Sequence, residues 1–511
     1  MHHASERFAG RVQALMSSAL GADTSSPVGA DAAADRDERE RLQLQRMERA
    51  LVRAWLAAPS TVAQSDYECL RYALGMARLH VFRIPGTRRD IHVDAARIMP
   101  LRAWLLEHLY DRLRGSATAE QKLLYCHEAV AEARSRCIEL RRQLLADHGD
   151  ECDGAALDRE AGKRSLVIVA GGGGGSGYVY AGAFARLMED GLIPDYMVGN
   201  SIGAILGLFR AQRRHADVSD YLDFARKLKN ADIFTAARRR SEFCLPGLLH
   251  LHLRALHQRM STGDLRRPLR LDEMEIPLDL VVAGIRRRPY ERLPSDVRAP
   301  NEGAERWLPM WMRVAARFAR LLQFFSADVV EPIVLGRDTD TRQVHAVDAA
   351  GFSAAVPSIL QYEPGPGAGV TREIFAELMA TRELAAIVDG GMADNVPARA
   401  AWRGVAAGRA ATRNAYYLAF DCFFPRVDAK NLWLWPITQT VQMQMRVNRV
   451  YADTMVRFDH TLSPLNIVPS PDALDLSVGW GYQEMETRMP EVREMLRTVS
   501  LFAHEREARP S

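Results

Sequence analysis

Cysteine is scarce in this sequence and follows no pattern. Among 511 residues there are six cysteines, with no C-x-x-C pair and no Cys/His spacing typical of a metal site. A disulfide framework or a structural zinc site needs such pairs. The sequence therefore argues against both and indicates reduced thiols in a cytoplasmic protein. We accordingly expect no metal and no cofactor.

Long apolar runs are also missing. No stretch approaches the length that spans a bilayer, and the opening MHHASERFAGRVQALMSSALGAD lacks the apolar core of a signal peptide. The formal net charge of +3 is small for this length, which argues against bulk electrostatic binding of nucleic acid. We therefore expect no nucleic-acid partner and only peripheral contact with membranes.

The composition is that of a soluble globular protein, with 48% hydrophobic and 26% charged residues, and the length favours more than one domain. Residues 21–36 are rich in Ala, Asp, Ser and Gly, which predicts a flexible tail. The polar stretch 151–164 predicts a linker. The predicted units are a flexible tail (1–36), a helical N-terminal extension (37–150), a main domain (163–475) and a helical or flexible C-terminal tail (476–511).

Two segments of the extension have helical periodicity. Leu44, Met47, Leu51 and Trp55 fall on one face of a first helix. A longer helix is predicted over 118–146, with a heptad-like apolar stripe. The stripe consists of Leu123, Cys126, Val130, Ala133, Cys137, Leu140 and Leu144. Such a stripe is typical of a helical bundle packed against the main domain, or of a surface that binds a helical protein partner or regulator.

The pattern changes at residue 165. SLVIVA (165–170) is a short β-branched run that ends in five glycines, and a helical pattern, a second strand (DYMVG) and another helix follow. This alternation of strands and helices predicts an α/β fold with parallel strands. Further strands are predicted at 278–285, 385–391 and 415–422.

The second strand runs into GNSIG, which places Ser201 between Gly199 and Gly203 with one spacer on each side. G-x-S-x-G is the pattern of a tight strand-to-helix turn that presents a serine hydroxyl as a nucleophile. An ordinary glycine turn would explain the same five letters. A serine attacks only if another group takes its proton and N–H groups stabilise the oxyanion, so the rest of the chain must supply both.

GGGGGSGY, from Gly171 to Tyr178, is the candidate source of those N–H groups. Glycine lets a ligand approach the backbone, and this loop lies between a strand and the start of a helix. The candidate donors are Gly172, Gly173, Gly174, Gly175 and Gly177. The same loop fits the dinucleotide fingerprint G-x-G-x-x-G. That fingerprint needs an acidic residue at the end of the next strand, which here ends in the serine turn.

VDGGMADNVPARAA (388–401) supplies the candidate base. Asp389 follows an apolar stretch and precedes Gly390 and Gly391. This predicts a carboxylate at the tip of a strand, on the edge where parallel sheets carry their sites. A plain Asp-Gly turn is the alternative.

Together these motifs resemble the patatin-like phospholipases, a family of serine lipid acyl hydrolases. The resemblance covers roughly residues 163–425 in the family's motif order, and it includes Asn395 and the stretch GFSAAVPSIL around Ser353. It implies a three-layer α/β/α domain with a mainly parallel central sheet. It also implies Ser201 as the nucleophile and Asp389 as the general base of a Ser-Asp dyad, with the glycine loop as the oxyanion hole.

One position departs from the family pattern. Where the oxyanion motif carries Arg or Lys before its last glycine, this sequence has Ser176, which weakens the expectation of phosphate head-group recognition. The rival mechanism is a Ser-Asp-His triad, for which His460 or His504 could serve. The glycine loop directly before the serine turn matches the dyad family instead.

The candidate for membrane contact is WLPMWMRVAARFARLLQFF (307–325). Apolar residues gather on one side and arginines on the other, as in a helix lying in a bilayer surface or in a core helix with solvated arginines. The candidate contact residues are Trp311, Arg313, Arg317, Phe318 and Arg320. Two further apolar stretches each allow two interpretations. Residues 245–260 fit a lid or part of the core, and residues 431–455 fit an acyl groove or part of the core.

These patterns lead us to expect a cytoplasmic, peripherally membrane-associated lipid acyl hydrolase that acts on lipid at a membrane or droplet surface. The N-terminal helices are candidates for gating such an enzyme. The alternative is a non-catalytic lipid-binding or regulatory protein on the same fold.

Overall fold

A helical region (30–162) packs against an α/β region (163–502) through a shared apolar core. The computed structural model of the protein describes residues 30–83, 90–237, 239–262, 267–292, 329–365, 367–423 and 448–502. Among the helices within these ranges, none combines the length and the apolar character that a membrane span requires.

The region before residue 163 is mainly helical. Its elements are α1 (Ala30–Ala57), α2 (Gln64–Ala77), β1 (Val81–Arg83), β2 (Asp90–His92), α3 (Ala95–Arg114), α4 (Ala119–Glu128), α5 (Val130–His148) and α6 (Gly154–Gly162). The two short strands pair antiparallel. The two segments predicted to be helical, around 44–55 and over 118–146, are helical in the structure, whereas α2 and α3 were not predicted.

Two of the predicted bounds fall inside helices. α1 begins at Ala30, within the predicted tail (1–36), because alanine, a strong helix former, is the commonest residue of its opening run ADAAADRDERE, and the aspartates lie near the N-terminus, where acidic side chains favour a helix. α6 occupies the predicted linker (151–164). The side chain of Asp153 caps its N-terminus, and Leu157 is fully buried. Such a short helix is stabilised by tertiary burial, which its polar sequence does not reveal.

The single helix predicted over 118–146 is in fact two helices, α4 and α5, which join at Ala129. All residues of the apolar stripe are buried against the neighbouring helices, as the bundle interpretation expects. A partner protein would have to bind other faces, where Leu124, Tyr125 and Ile138 are exposed. Such a partner stays a prediction.

A seven-stranded sheet forms the centre of the α/β region. In spatial order its path is β10 (Val330–Leu335), β9 (Leu278–Arg286), β4 (Tyr196–Asn200), β3 (Ser165–Ala170), β13 (Ala415–Asp421) and β14 (Thr454–Arg457), and β12 (Leu384–Asp389) also pairs with β9. β9, β4, β3, β13 and β14 are parallel, whereas β10 and β12 run antiparallel to β9. The expectation of a mainly parallel sheet is confirmed.

Helices cover both faces of this sheet. The described helices of the region are α7 (Val179–Glu189), α8 (Ile202–Gln212), α9 (Val218–Lys227), α10 (Asn230–Ile233), α11 (Arg254–Arg259), α12 (Arg287–Glu291), α13 (Ala346–Ser353), α14 (Gly369–Thr381), α15 (Ala398–Ala406), α16 (Pro471–Glu486) and α17 (Met489–Leu496). In β3, Leu166 and Ile168 pack into the core that holds α7 and α8, whereas Val167 and Val169 pack with α15. This alternation marks the two interfaces of a three-layer α/β/α domain.

A small sheet accompanies the main one. It consists of β5 (Phe234–Ala236), β6 (Gly247–Leu251) and β11 (Ser358–Tyr362), with β6 in the middle. A further two-stranded pair is formed by β7 (Ser261–Thr262) and β8 (Arg267–Pro268). Short 3₁₀ turns occur at Gly174–Tyr178, Leu271–Glu273, Asp340–Gln343 and Gly390–Met392.

The predicted boundary at residue 475 lies inside α16. This helix crosses α7 so closely that a Cβ added to Gly481 would lie 1.8 Å from the carbonyl oxygen of Val179. Leu474 and Met485 of the same helix are buried in the core. α16 is therefore packed into the main domain, and the chain beyond residue 475 does not form a separate tail there.

Candidate active site

The two candidate catalytic residues meet on one edge of β9. β4 runs parallel to the first half of β9 and ends with Asn200 opposite Val281. β12 runs antiparallel to the second half and ends with Asp389 opposite Val282. β10 occupies the other edge of β9, so β4 and β12 point at each other tip to tip along the same edge. Asp389 was expected at the edge where parallel strands end, but β12 is antiparallel to β9, and it is the shared strand that brings Asp389 to Ser201.

Ser201 occupies the sharp turn between β4 and α8. Its φ of 52° and ψ of −121° lie outside the regions that a residue with a side chain prefers. The turn is tight, because a Cβ added to Gly203 would lie 2.2 Å from the carbonyl oxygen of Ala170. A sharp strand-to-helix turn of this kind, with the serine at the start of a helix, is the geometry expected of a nucleophile turn.

Asp389 is buried beside Ser201. One carboxylate oxygen, Oδ1, accepts the N–H of Gly391 at 2.7 Å. Burial raises the pKa of the Asp389 carboxyl to about 6, although the Ser201 hydroxyl and the Gly391 N–H oppose that rise. The other oxygen, Oδ2, makes no hydrogen bond of good geometry with any described residue. Asp389 therefore combines a raised proton affinity with an oxygen that is free to accept a proton.

Two asparagines tie the serine turn to the other motifs. The Asn200 side chain donates to the main-chain oxygens of Asp394 and Asn395, both at 3.3 Å. The Asn395 main-chain oxygen in turn accepts the N–H of Gly172 at 3.1 Å. Asn395 belongs to the residues that carry the family resemblance, whereas the only sequence signal of Asn200 is its place directly before the serine.

The glycine loop holds two N–H groups that its own fold does not use. Gly172 and Gly175 donate their N–H groups to main-chain carbonyl oxygens, at 3.1 and 2.9 Å. Those of Gly173 and Gly174 donate to no residue that the structure describes, and both glycines line the same cavity as Ser201. Of the five predicted donors, these two are therefore best suited to bind an oxyanion.

The remainder of the loop is structural. Ser176, the position where the family carries a cation, is buried in the 3₁₀ turn Gly174–Tyr178. The hydroxyls of Tyr178 and Tyr180 donate to main-chain carbonyl oxygens at 2.5 and 3.2 Å. Gly177 lies against the side chain of the first residue of α8. At these positions the loop presents backbone groups and no positive charge to the site.

Ser201 and Asp389 both line a cavity of about 240 Å³. Its walls come from α8, α9, α11, the small sheet and the segment that follows α13. The apolar lining includes Ile205, Phe209, Ile233, Leu251, Leu253, Leu256, Ile359 and Leu360. A cavity lined in this way, with a few polar groups at one point, suits an apolar chain that carries one reactive polar bond.

Helix α9 and the residue that follows it contribute cavity residues that the sequence analysis did not single out. Tyr221, Phe224, Ala225 and Leu228 all line the cavity, and their helical spacing was an available signal. The stretch 245–260, left open as lid or core, forms β6 and α11 and is part of the cavity wall.

The rival base His460 does not reach the site. It is exposed, its ring lies 5.9 Å from that of Trp480, and it does not line the cavity. His504, the membrane-contact candidates in 307–325 and residues 431–447 of the second open stretch lie outside the described residues.

Comparison with known proteins adds one finding to this geometry. Residues 168–402 match the family model described as Patatin-like phospholipase, a range that holds the glycine loop, the serine turn and the D-G-G turn. No curated protein matches the sequence significantly. The family predicted from the motifs is thus confirmed for residues 168–402.

Proposed function

Residues 168–402 form a patatin-like phospholipase domain, and from that premise we propose that the protein hydrolyses carboxylic esters of lipids through a serine acyl-enzyme. The observation that carries the proposal is the junction on β9. There a serine in a sharp turn and a buried carboxylate with a free oxygen line one apolar cavity. The family supports lipid ester hydrolysis, and these two residues supply the mechanism.

In the proposed reaction, Oγ of Ser201 attacks the ester carbonyl carbon while Oδ2 of Asp389 takes the hydroxyl proton. The N–H groups of Gly173 and Gly174 bind the resulting oxyanion. Collapse of this intermediate breaks the bond to the alcohol, which leaves with the proton from Asp389. Water then attacks the acyl-enzyme, its proton passes through Asp389 to Ser201, and the fatty acid is released.

The cavity supports a lipid acyl chain as the part of the substrate that the protein binds. Each methylene that moves from water into an apolar site contributes about 0.8 kcal/mol, so a long chain gains far more from this lining than a short one. One acyl chain of a glyceride or of a phospholipid would suit this apolar cavity, and the proposal covers both lipid classes.

We also propose that the protein works at a membrane or droplet surface from the cytoplasm. The amphipathic pattern of 307–325 supports this contact, because arginines opposite an apolar face suit an anionic lipid surface. Changing Arg313, Arg317 and Arg320 together to Glu is expected to reduce co-sedimentation with anionic liposomes. Unchanged co-sedimentation would remove this part of the proposal.

The central test is fatty-acid release from mixed phospholipid vesicles and from a triacylglycerol emulsion. Wild type is compared with Ser201→Ala and Asp389→Asn. We expect release to fall about 10³-fold or more in both variants, because each removes one half of the proton-transfer pair. The better wild-type substrate identifies the lipid class.

Asp453→Asn is the matched control. Asp453 is also buried, accepts one main-chain N–H (from Tyr417, 2.8 Å) and leaves its other oxygen unpaired among the described residues, but it does not line the cavity. We expect this variant to keep wild-type activity. Release by the Ser201 or Asp389 variant would contradict the dyad. No release by folded wild type would favour the non-catalytic alternative.

A further inference from the structure

The main-chain N–H of Ser201 has an unusual environment. Since the turn takes Ser201 out of the β4 ladder and places it before the first residue of α8, this N–H has no main-chain acceptor among the described residues. A buried N–H group needs a partner. Here it donates to the side-chain oxygen of Ser353 at 2.9 Å.

The Ser353 hydroxyl is itself held in place. It donates to the main-chain oxygen of Val281 at 2.6 Å, and Oδ1 of Asn200 lies 3.4 Å away. Val281 is the residue of β9 that pairs with Asn200, directly before the serine turn. The hydroxyl of Ser353 therefore fixes the turn to the strand on which both motifs meet.

The same short segment also holds Asp389. The main-chain oxygen of Ala355, two residues after Ser353, accepts the N–H of Asp389 at 3.0 Å. One segment at the end of α13 thus bonds the main chain of both candidate catalytic residues. Ser353 is fully buried and does not line the cavity, so its effect on a reaction passes through Ser201.

We propose that Ser353 is a positioning residue, whose hydroxyl holds Ser201 in its sharp turn at the place and direction that Asp389 requires. The expected effect of Ser353 on the reaction rate rests on the proposed function. Its expected effect on the mobility of the Ser201 main chain does not. Small displacements of a reacting group are costly, since a shift of about 1 Å can reduce a rate about 100-fold.

Removing the hydroxyl tests this role. In Ser353→Ala and in the near-isosteric Ser353→Cys, the Ser201 N–H loses its strong acceptor. We expect kcat for p-nitrophenyl butyrate to fall about 10- to 100-fold while KM changes less than about twofold. Ser353→Thr keeps a hydroxyl and should recover most of the rate. Ser477→Ala, at a fully buried serine whose hydroxyl has no partner among the described residues, is the control and should leave kcat unchanged.

A second readout does not depend on a lipid substrate. Labelling with a fluorophosphonate, in which Oγ of Ser201 bonds to phosphorus and fluoride leaves, should slow about 10- to 100-fold in the Ala and Cys variants at temperatures where both are folded. Amide hydrogen exchange in the peptide that contains Ser201 should become faster.

The inference would be overturned if the folded Ala and Cys variants label and exchange at the wild-type rates. It would also be overturned if the Thr variant labels as slowly as the Ala variant. Labelling that depends on Ser353 in a protein that releases no fatty acid would overturn the proposed function alone. A wild-type Ser201 that does not label would overturn both.

Discussion

Burial suits Asp389 to the proposed role of a base and also makes its ionised form costly to the fold. An exposed aspartate, with a pKa near 4, is a weak proton acceptor at neutral pH. Removal from water raises the pKa of Asp389 to about 6, which increases its proton affinity while leaving it mainly ionised at neutral pH. The same shift means that the folded protein holds a carboxylate where a neutral group would be more stable.

The pH dependence of the reaction should follow the ionisation of Asp389. Because only the carboxylate can take the Ser201 proton, kcat/KM should be constant above about pH 7 and should fall about tenfold per pH unit well below pH 6. The check is a pH–rate profile with a p-nitrophenyl ester at constant ionic strength. A rate that stays constant down to about pH 5 would contradict Asp389 as the base.

The stability of Asp389→Asn should move in the opposite direction to its activity. In the unfolded chain the carboxyl has a pKa near 3.9, so the cost of ionising it in the fold builds up between about pH 4 and pH 6 and stays constant above that. Asparagine avoids this cost and keeps an oxygen for the Gly391 N–H. Urea unfolding at pH 8 should show a free energy of unfolding higher by about 1–3 kcal/mol, with little difference at pH 4. A less stable variant at pH 8 would refute this account.

The backbone of Ser201 predicts a difference in stability between two variants that both lack the serine hydroxyl. Glycine adopts a positive φ without a Cβ penalty, whereas alanine does not. Ser201→Gly should therefore be more stable than Ser201→Ala by about 1–2 kcal/mol in thermal or urea unfolding. Equal stabilities would mean that the turn stores no strain.

At the scale of elements, the site depends on β9. This strand pairs with β4 along its first half and with β12 along its second half, on the same edge. Because the two strands arrive from opposite directions, Ser201 and Asp389 come together although they are far apart in the chain. A single nine-residue strand thus sets the distance between the two motifs.

The cavity wall formed by α9 should determine acyl-chain selectivity. Ala225 is buried and lines the cavity, so Ala225→Leu adds three carbon atoms to the wall and shortens the available space. The ratio of kcat/KM for p-nitrophenyl octanoate over butyrate should fall about 10- to 50-fold, because each methylene kept in water loses about 0.8 kcal/mol. Ala376→Leu, on the exposed side of α14, is the control. An unchanged ratio would place the acyl chain elsewhere.

At the scale of the whole molecule, a buried ion cluster joins the N-terminal helices to the sheet. Glu48 of α1 contacts Arg71 at 3.2 Å and Arg164 at 2.8 Å, and it also contacts Arg78. Burial by itself would raise the pKa of the Glu48 carboxyl, but the three guanidinium groups hold it well below its ordinary value. Arg164 directly precedes β3, so the helices before residue 163 are fixed to the strand that carries the glycine loop.

Glu48→Gln should destabilise the protein strongly. It leaves three buried guanidinium groups without their shared carboxylate, and the free energy of unfolding should fall by about 3–5 kcal/mol in urea unfolding at pH 7. Glu139→Gln breaks an exposed pair with Arg142 and should leave the unfolding transition unchanged. A small effect of Glu48→Gln would mean that the cluster does not anchor the extension. Deletion of residues 1–160 would also remove the Glu48 carboxylate that pairs with Arg164. This deletion therefore tests the contribution of the N-terminal helices to folding before it tests whether they gate the enzyme.

Much of the candidate site could be predicted from local sequence. The serine turn, the glycine loop and the D-G-G turn each depend on a few adjacent residues, because glycine permits backbone shapes and close approaches that other residues do not. Five strands were found by their apolar and β-branched runs. The supporting contacts made by Asn200 could not be predicted in this way, since its partners lie about two hundred residues further along the chain.

The sequence by itself therefore determined the local turns, the strands and the residue types at the site. Only the tertiary structure decided the direction of β12, the helix in the predicted linker, the contribution of α9 to the cavity and the burial of Glu48 among arginines. Each of these depends on which distant segments pack together and on which groups are removed from water. The apolar face of α9 can be read from its helical spacing, but neither this spacing nor any other local pattern identifies the distant segments that it packs with, whereas backbone conformation at a glycine turn is set within a few residues.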